Sequence, residues 1–317
     1  MGYDCKILLD SVNEIGKRLT TFEITFPRCV LSEFNTHRMF SRNSASSRAI
    51  PIKRMLERVQ SDPFIPERWG KPGKGMGAKE YWPVDSVEHN NLTSMWKMQL
   101  AWVITTVANY KSIGNKEDLN RLLEPFMFHT VIVTATEWDN FFYQRTNDSA
   151  DWKIHKIANL MYEAYHHGKY PLRTLKVGEW HCPLTSQTDD AVLVEQYLQE
   201  TANLEQRIEL CKNSYRDRYE YDHDAAYDEI FKRVSVARCA RSSYLTHHGI
   251  RDIKEDLDLF DRLVIFGHWS PLEHVATPFI VENSTGYIRT NGRSGNFLGW
   301  RQYRKDFPQE NCKEFRK

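Results

Sequence analysis

The chain has 317 residues, 41% of them hydrophobic, enough for one large or two ordinary domains with a sizeable core. Its 43 basic and 42 acidic residues nearly cancel, which argues against a generic polyanion binder and leaves local patches as the electrostatic clue. No apolar stretch is long enough to span a bilayer, and the N-terminus lacks a basic segment followed by an apolar run, so a cytoplasmic protein is expected.

In chain order, "KRLTTFEITFP" alternates apolar and polar residues and predicts a strand ending at Pro27. Val30, Leu31 and Phe34 recur at helical spacing just after that proline, so a short helix is expected to deliver His37 and Arg38. The Ser-rich stretch that follows, closed by Pro51, reads as a loop. "ERWGKPGKGMGAKEYWP" holds four Gly and two Pro and reads as a surface loop; no Gly-Lys in it is followed by Ser or Thr, so it is not a phosphate loop of the Walker type.

From about Asp118 to His167 the pattern is helical, broken near "YQRTNDSAD", where Asp148 or Ser149 is placed to cap the next helix. A further helical stretch covers residues 191–210, followed by a polar segment. "IKEDLDLFDRLVIFGH" sets Leu257, Phe260 and Val264 on one face and stops at Gly267. The fold class expected is α+β, helix-rich, with a mixed and mainly antiparallel sheet.

Six cysteines, at positions 5, 29, 182, 211, 239 and 312, contain no CxxC pair, so free thiols are expected rather than a disulfide framework or zinc ribbon. His181 and Cys182 are adjacent but have no second pair, and no metal is expected from them.

The chemistry concentrates in "THRMFSRNSASSRAIP". Ser46, Ser47 and Arg48 can offer hydroxyls, backbone N–H groups and a guanidinium fork to one phosphate, as a nucleotide requires, while His37 and Arg38 can meet a second anionic or heteroaromatic group. The plainer reading is an exposed Ser-rich loop behind an amphipathic helix. His268, Glu273 and His274 cluster in "GHWSPLEH", and Asn140 and Arg145 lie beside aromatic residues in "NFFYQR"; taken singly, such histidines are more often packed or surface groups than catalytic ones.

Residues 37–48, "HRMFSRNSASSR", resemble the signature of the flavin-dependent thymidylate synthases: His-Arg, two residues, Ser, one residue, Asn, then Ser and Arg two apart. "ARCARSSY" with "GHWSPLEH" is similar to that family's N-terminal portion, and "NFFYQR" followed by Trp152 and Ile154 to its Asn-Phe-Leu-x-x-Arg element. Here the Gly-His element comes last, which implies a circular permutation. The resemblance thus implies a single permuted domain over 1–317: the signature and Asn/Arg element in 1–180, a helical connection in 181–230, and the Gly-His/Glu-His element with a basic aromatic tail in 231–317.

That resemblance implies conversion of dUMP to dTMP, with FAD as cofactor and NADPH and methylenetetrahydrofolate as co-substrates, in a homotetramer whose sites draw on neighbouring subunits. It implies Arg145, His268 and Ser46 as catalytic residues; His37, Arg38, Ser41, Asn43, Asn140 and Glu273 around the flavin; and Ser46, Ser47, Arg48 and Arg145 around the nucleotide. Flavin chemistry needs no protein thiol. The tail contains a competing Asn-Phe-Leu-x-x-Arg, Asn296 to Arg301, of which the Asn140 assignment is preferred. Thr36, Ser44 and Ser149 stand where the family pattern has Arg, Glu and often His, and these departures favour a related flavin- and folate-dependent C5 modification, such as hydroxymethylation, as the alternative. A second alternative is a single-strand nucleic-acid module, because the tail interleaves Tyr287, Phe297, Trp300 and Tyr303 with Arg289, Arg293, Arg301, Arg304 and Lys305; the near-neutral net charge argues against a nucleic-acid partner.

Overall fold

The computed structural model describes residues 2–75, 77–201, 223–249, 251–283, 286–289 and 291–311, with the backbone alone for those between 280 and 290. The continuation of the 191–210 helical stretch beyond Glu200, Cys211, Cys312 and the side chains of Tyr287 and Arg289 therefore lie outside the described residues.

A five-stranded sheet organises the molecule: β1 (Asp4–Asn13), β2 (Arg18–Pro27), β3 (Ser41–Ser44), β4 (Phe128–Ala135) and β5 (Arg173–Leu175), in the order β3-β4-β2-β1-β5. Every pairing is antiparallel except β1 with β5, which is parallel. The sheet is thus mixed and mainly antiparallel, within an α+β fold.

Two of its strands differ from the sequence expectation. Ser41–Ser44 is not loop but edge strand, paired with Val131–Thr134. Phe128–Ala135 is not helical but the strand between β2 and β3. Its run "FHTVIVTA" is buried at nearly every position because both faces are covered, and its central Val131, Ile132 and Val133 are consecutive, so it lacks the clean alternation that marks a half-buried strand.

The two faces of the sheet differ in chemistry. On one, Phe22, Ile24 and Phe26 of β2 and Val131, Val133 and Ala135 of β4 pack with Phe34, Phe40, Trp138 and Phe141, and with Ile154, Ile157, Ala158 and Met161 of the helix Trp152–His167. Those four helix residues follow the spacing of a single apolar stripe. Asp151 caps the helix by accepting from Lys153 N at 2.8 Å, in place of the expected Asp148 or Ser149. Each fully buried Phe side chain contributes about 1.5–3 kcal/mol by area.

The other face is polar yet buried. Thr21 and Thr134 lie opposite each other with hydroxyls 2.7 Å apart, and Thr25 and Thr130 with hydroxyls 3.1 Å apart. Buried hydroxyls need partners, and the second half of the chain supplies them. His181 contacts Ser11 and Thr21, both at 2.8 Å, and His274 contacts Thr134 at 2.8 Å. The helices His223–Arg241 and Ile253–Ile265 and the 3₁₀ turn Ser270–His274 belong to this second layer, whose strand Trp300–Gln302 pairs with Ala276–Pro278.

The described side chains of the tail form no stacking platform. Phe297, Trp300 and Tyr303 are fully buried, and Arg301, Arg304 and Lys305 are paired with Asp306, Glu273 and Glu310 respectively. No described helix is long and apolar enough to cross a membrane.

Candidate functional site

Alternation along β3 sends Ser41 and Asn43 to the polar face, opposite Thr134 and Ile132. There they meet the turn Ser270–His274. Ser41 Oγ donates to Glu273 at 2.8 Å and accepts from Gln302 at 3.2 Å, while Asn43 lies 3.1 Å from His274 Nε2. The first element of the sequence pattern and the last, separated by more than two hundred residues, thus close on one another.

Past β3 the chain turns, with Ala49 N and Ile50 N both donating to Ser46 O at 3.1 Å. Ser46 N in turn donates to Ser243 O at 3.0 Å, which fastens this turn to the "ARSSY" segment at the end of the His223–Arg241 helix. A Schellman closure ends the Ile253–Ile265 helix: Gly267 N bonds Val264 O at 3.1 Å, His268 N bonds Leu263 O at 2.8 Å, and Gly267 takes φ +68°. That geometry aims His268 at the same place.

Between these segments lies a cleft of about 790 Å³, within the size range of small-molecule sites. Asn43, Ser46 and Arg48 form one side; Arg241, Ser243 and Tyr244 a second; Arg262, Phe266, His268 and Ser270 a third, with Lys116 near Arg48. Four permanent cations and three serines line it, with aliphatic and aromatic side chains between them and no carboxylate among the lining residues. Such a lining matches an anionic group carried on a flat, partly apolar body.

Of the two cleft arginines Arg48 and Arg241, each held in an ion pair, Arg241 is the more constrained. Its side chain is 11% exposed and donates to Asp256 Oδ1 at 2.9 Å, whereas Arg48 is 69% exposed and pairs with Glu117 at 3.4 Å. Asp256 is itself fully buried and accepts from Arg238, which also binds Asp190. Burial raises the Asp256 carboxyl, and the two arginines counter this only in part.

The remaining sequence candidates fall elsewhere in the chain. Ser47 donates to Glu124 and does not line the cleft. Arg145 donates to His37 Nε2 at 2.9 Å and pairs with Glu33, so the expected union of Arg145 with Ser46 in one pocket is not met within one chain. Burial, with Arg145 and Arg42 nearby, pulls the His37 imidazole down to about 4, which keeps it neutral. Arg38 and Asn140 are exposed. The competing Asn296 sits on the signature itself, bonded to Ser41 and to Met39 O, each at 3.1 Å.

His181 and Cys182 do not act together. The imidazole is held between two hydroxyls and burial lowers it to about 3, while burial pushes the Cys182 thiol up to about 12. No cysteine lines the cleft.

Lys116, Arg241, Ser243, Tyr244 and Arg262 were not singled out from the sequence as site residues. Three of them stand in "ARSSY", where the motif itself was a usable signal. Lys116 and Arg262 sit at helical positions with no local mark, and only the tertiary approach of their helices brings them to the cleft.

No curated protein sequence matches the chain significantly. Among solved structures, the crystal structure of a UMP/dUMP methylase, PolB, from Streptomyces cacaoi, bound with 5-Br UMP, is similar to it with a TM-score of 0.42 and 12% identity, over 52% of this chain and 89% of that one. The family model described as thymidylate synthase complementing protein matches residues 18–168, a span that holds β2, β3, β4 and the whole of the His37–Arg48 signature. The chain carries a domain of the thymidylate synthase complementing protein family over residues 18–168.

Proposed function

We propose that the protein modifies C5 of a pyrimidine deoxynucleotide, with dUMP as substrate and dTMP as product, and that the cationic cleft is its nucleotide site. One observation carries this reading: three motif segments from opposite ends of the chain, Asn43–Arg48, Ala240–Tyr244 and His268–Pro271, converge on that cleft. Arg241, largely shielded and held by Asp256, is the anchor for the phosphate, with Ser46 and Ser243 beside it as hydroxyl donors and Arg48 as an exposed, adaptable fork. Tyr244 and Phe266 are aromatic surfaces for the base. His268 lies at the same cleft within reach of a bound base for hydrogen bonding.

The family implies FAD, which supplies hydride when bound. The residues expected around it fit only in part within one chain. Ser41 and Glu273 are committed to each other, Asn43 to His274 and His37 to Arg145, whereas Arg38 and Asn140 are exposed. A homo-oligomer, presenting Arg38 and Asn140 of one subunit to a neighbour's cleft, is the arrangement that makes use of them. Methylenetetrahydrofolate and NADPH are the proposed carbon and hydride sources.

The test is incubation of the purified protein, with FAD, NADPH and methylenetetrahydrofolate, with dUMP carrying tritium at C5, followed by mass spectrometry of the nucleotide product. Tritium release with a methylated product supports the reading, and a hydroxymethylated product would shift it to the alternative suggested by Thr36, Ser44 and Ser149. Failure of dUMP to bind in calorimetry would remove it.

A further inference from the structure

Across the sheet from the apolar core, one buried carboxylate is crowded by nitrogen. Glu23 Oε2 lies 2.6 Å from His247 Nε2 and 2.6 Å from His248 Nε2, and its other oxygen lies 3.0 Å from Lys6 Nζ. Lys6 is the direct cross-strand neighbour of Glu23, and the two histidines arrive from the turn after Tyr244, where Leu245 takes a left-handed φ of +56°. None of these residues lines the cleft.

The hydrogen-bond arithmetic of this cluster does not close. Lys6 Nζ stands 3.1 Å from His248 Nε2, a contact that requires a bare nitrogen lone pair, because an ammonium is donor only. The 2.6 Å approach of that same nitrogen to the Glu23 carboxylate requires a proton on it. Both demands cannot hold at once. A cation accepting lone pairs from both imidazoles and the carboxylate satisfies all three atoms together, with the lysine released.

We propose that Glu23, His247 and His248 form a binding site for a divalent transition-metal ion, with Lys6 as the internal cation that the metal displaces. Two imidazole nitrogens and one carboxylate oxygen form a donor set suited to Zn²⁺, leaving a fourth position for water. The three atoms all lie within 4.8 Å of one another. Ligands at about 2.0–2.1 Å in a tetrahedral zinc site stand roughly 3.3 Å apart, so each imidazole nitrogen has to draw back from the carboxylate oxygen by less than about 1 Å. Glu23 and His247 are buried while the His248 side chain is 46% exposed, which provides both a shielded carboxylate and a route to solvent. The Lys6 side chain is 45% exposed, and its flexible stem lets the ammonium move into water. Glu23 is already ionised: burial acts to raise its carboxyl, but the hydrogen bonds from His247 and Lys6 and the nearby imidazoles prevail and hold it down to about 2. Occupation ties β2 to the segment that carries Ser243 and Tyr244 to the cleft.

The experiment is calorimetric titration of the full chain, stripped with EDTA and desalted, with Zn²⁺ alone, so that it stands apart from any test of nucleotide binding. One equivalent bound at micromolar concentration or tighter is expected, with a rise in the melting temperature. His248→Ala, at a half-exposed position and with its fold checked by circular dichroism, is expected to weaken uptake at least roughly tenfold, and Glu23→Gln likewise. Lys6→Ala is expected to tighten it, because the competing cation is gone. No saturable uptake at micromolar metal, or uptake undiminished in His248→Ala, overturns the proposal. So does a Lys6→Ala variant that loses stability without gaining affinity, the behaviour of an ion-pair network alone.

Discussion

Ser41 of strand β3 donates a hydrogen bond of 2.8 Å to Glu273, a residue 232 positions further along the chain. Glu273 also accepts from Arg304 at 2.6 Å, so the serine hydroxyl joins the edge of the sheet to both the turn beside the cleft and the C-terminal segment. Hydrogen bonds to charged groups contribute about 1.5–3 kcal/mol, more than neutral ones. A double-mutant cycle on Ser41→Ala and Glu273→Gln, read by urea unfolding, is expected to give a coupling of about 1–2 kcal/mol. A coupling near zero would show that the two elements are held together by other contacts.

Anchoring of the nucleotide phosphate is expected to rank with constraint rather than with exposure. Arg241→Ala should weaken dUMP binding by about 1.5–3 kcal/mol, with Arg48→Ala at or below the lower end of that range because its side chain must be ordered on binding. Asp256→Asn, which leaves Arg241 in place but loosens it, should fall between wild type and Arg241→Ala. Calorimetry with dUMP checks all three; unchanged affinity in Arg241→Ala would place the phosphate elsewhere.

Cysteine is not expected to participate in the chemistry. Cys182→Ser should retain most turnover, since the thiol is buried, is held protonated by that burial and lies outside the cleft. A loss of roughly a thousandfold with the fold intact would instead favour a covalent thiol mechanism.

Subunit sharing of the site has a specific signature. Arg48 and His268 line the same cleft in one chain, so co-expressed Arg48→Ala and His268→Ala variants should not complement each other beyond what a mixed assembly regains in its reconstituted wild-type-like sites. For two residues of one chain that number is zero. Arg38→Ala with Arg48→Ala should regain activity if Arg38 completes a neighbour's cleft. Differently tagged copies purified together establish that mixed oligomers formed; no recovery in such oligomers would remove Arg38 from the shared site.

Acid should weaken the fold in a defined window. Burial lowers His129, His181 and His274 from 6.5 to about 3, with Arg28 and Arg58 adding to the shift for His129, and His274 and Arg173 for His181. The unfolded chain therefore binds protons on these rings first as pH falls through about 6.5, while the native state stays neutral until about 3. Stability is fully present above that window and is lost as pH falls, by about 1.4 kcal/mol per histidine between pH 7.5 and 5.5. Urea unfolding at the two pH values measures the slope, and His274→Gln should reduce it by about one third; a flat profile would show that the three rings are protonated in the native state.

What the sequence determined by itself was local and chemical. The alternation of "RLTTFEITF" specified β2, and the Gly267 stop of the Ile253–Ile265 helix followed from a residue that can take positive φ. The residue types of Ser46 and Arg48, a hydroxyl and a guanidinium close together in one loop, suggested an anion site beside the plainer reading of an exposed Ser-rich loop, and both line the cleft. Strand β4 was not legible, because a strand covered on both faces carries consecutive apolar residues, here Val131 to Val133, as a buried helix does, and its identity depends on pairing with β2 and β3, which no window of sequence contains. The cleft was legible only in pieces. Arg262 and Lys116 bear no mark of function until helices more than a hundred residues apart are packed beside the Ser46 turn, and Arg145 could not be separated from the cleft until the tertiary structure gave its guanidinium to His37 and Glu33. Spacing in sequence fixes which side chains share one helix face or one strand face; which faces meet is decided by burial of the whole chain, and the polar face of this sheet, with its threonines in need of partners, drew His181 and His274 to it from distant segments.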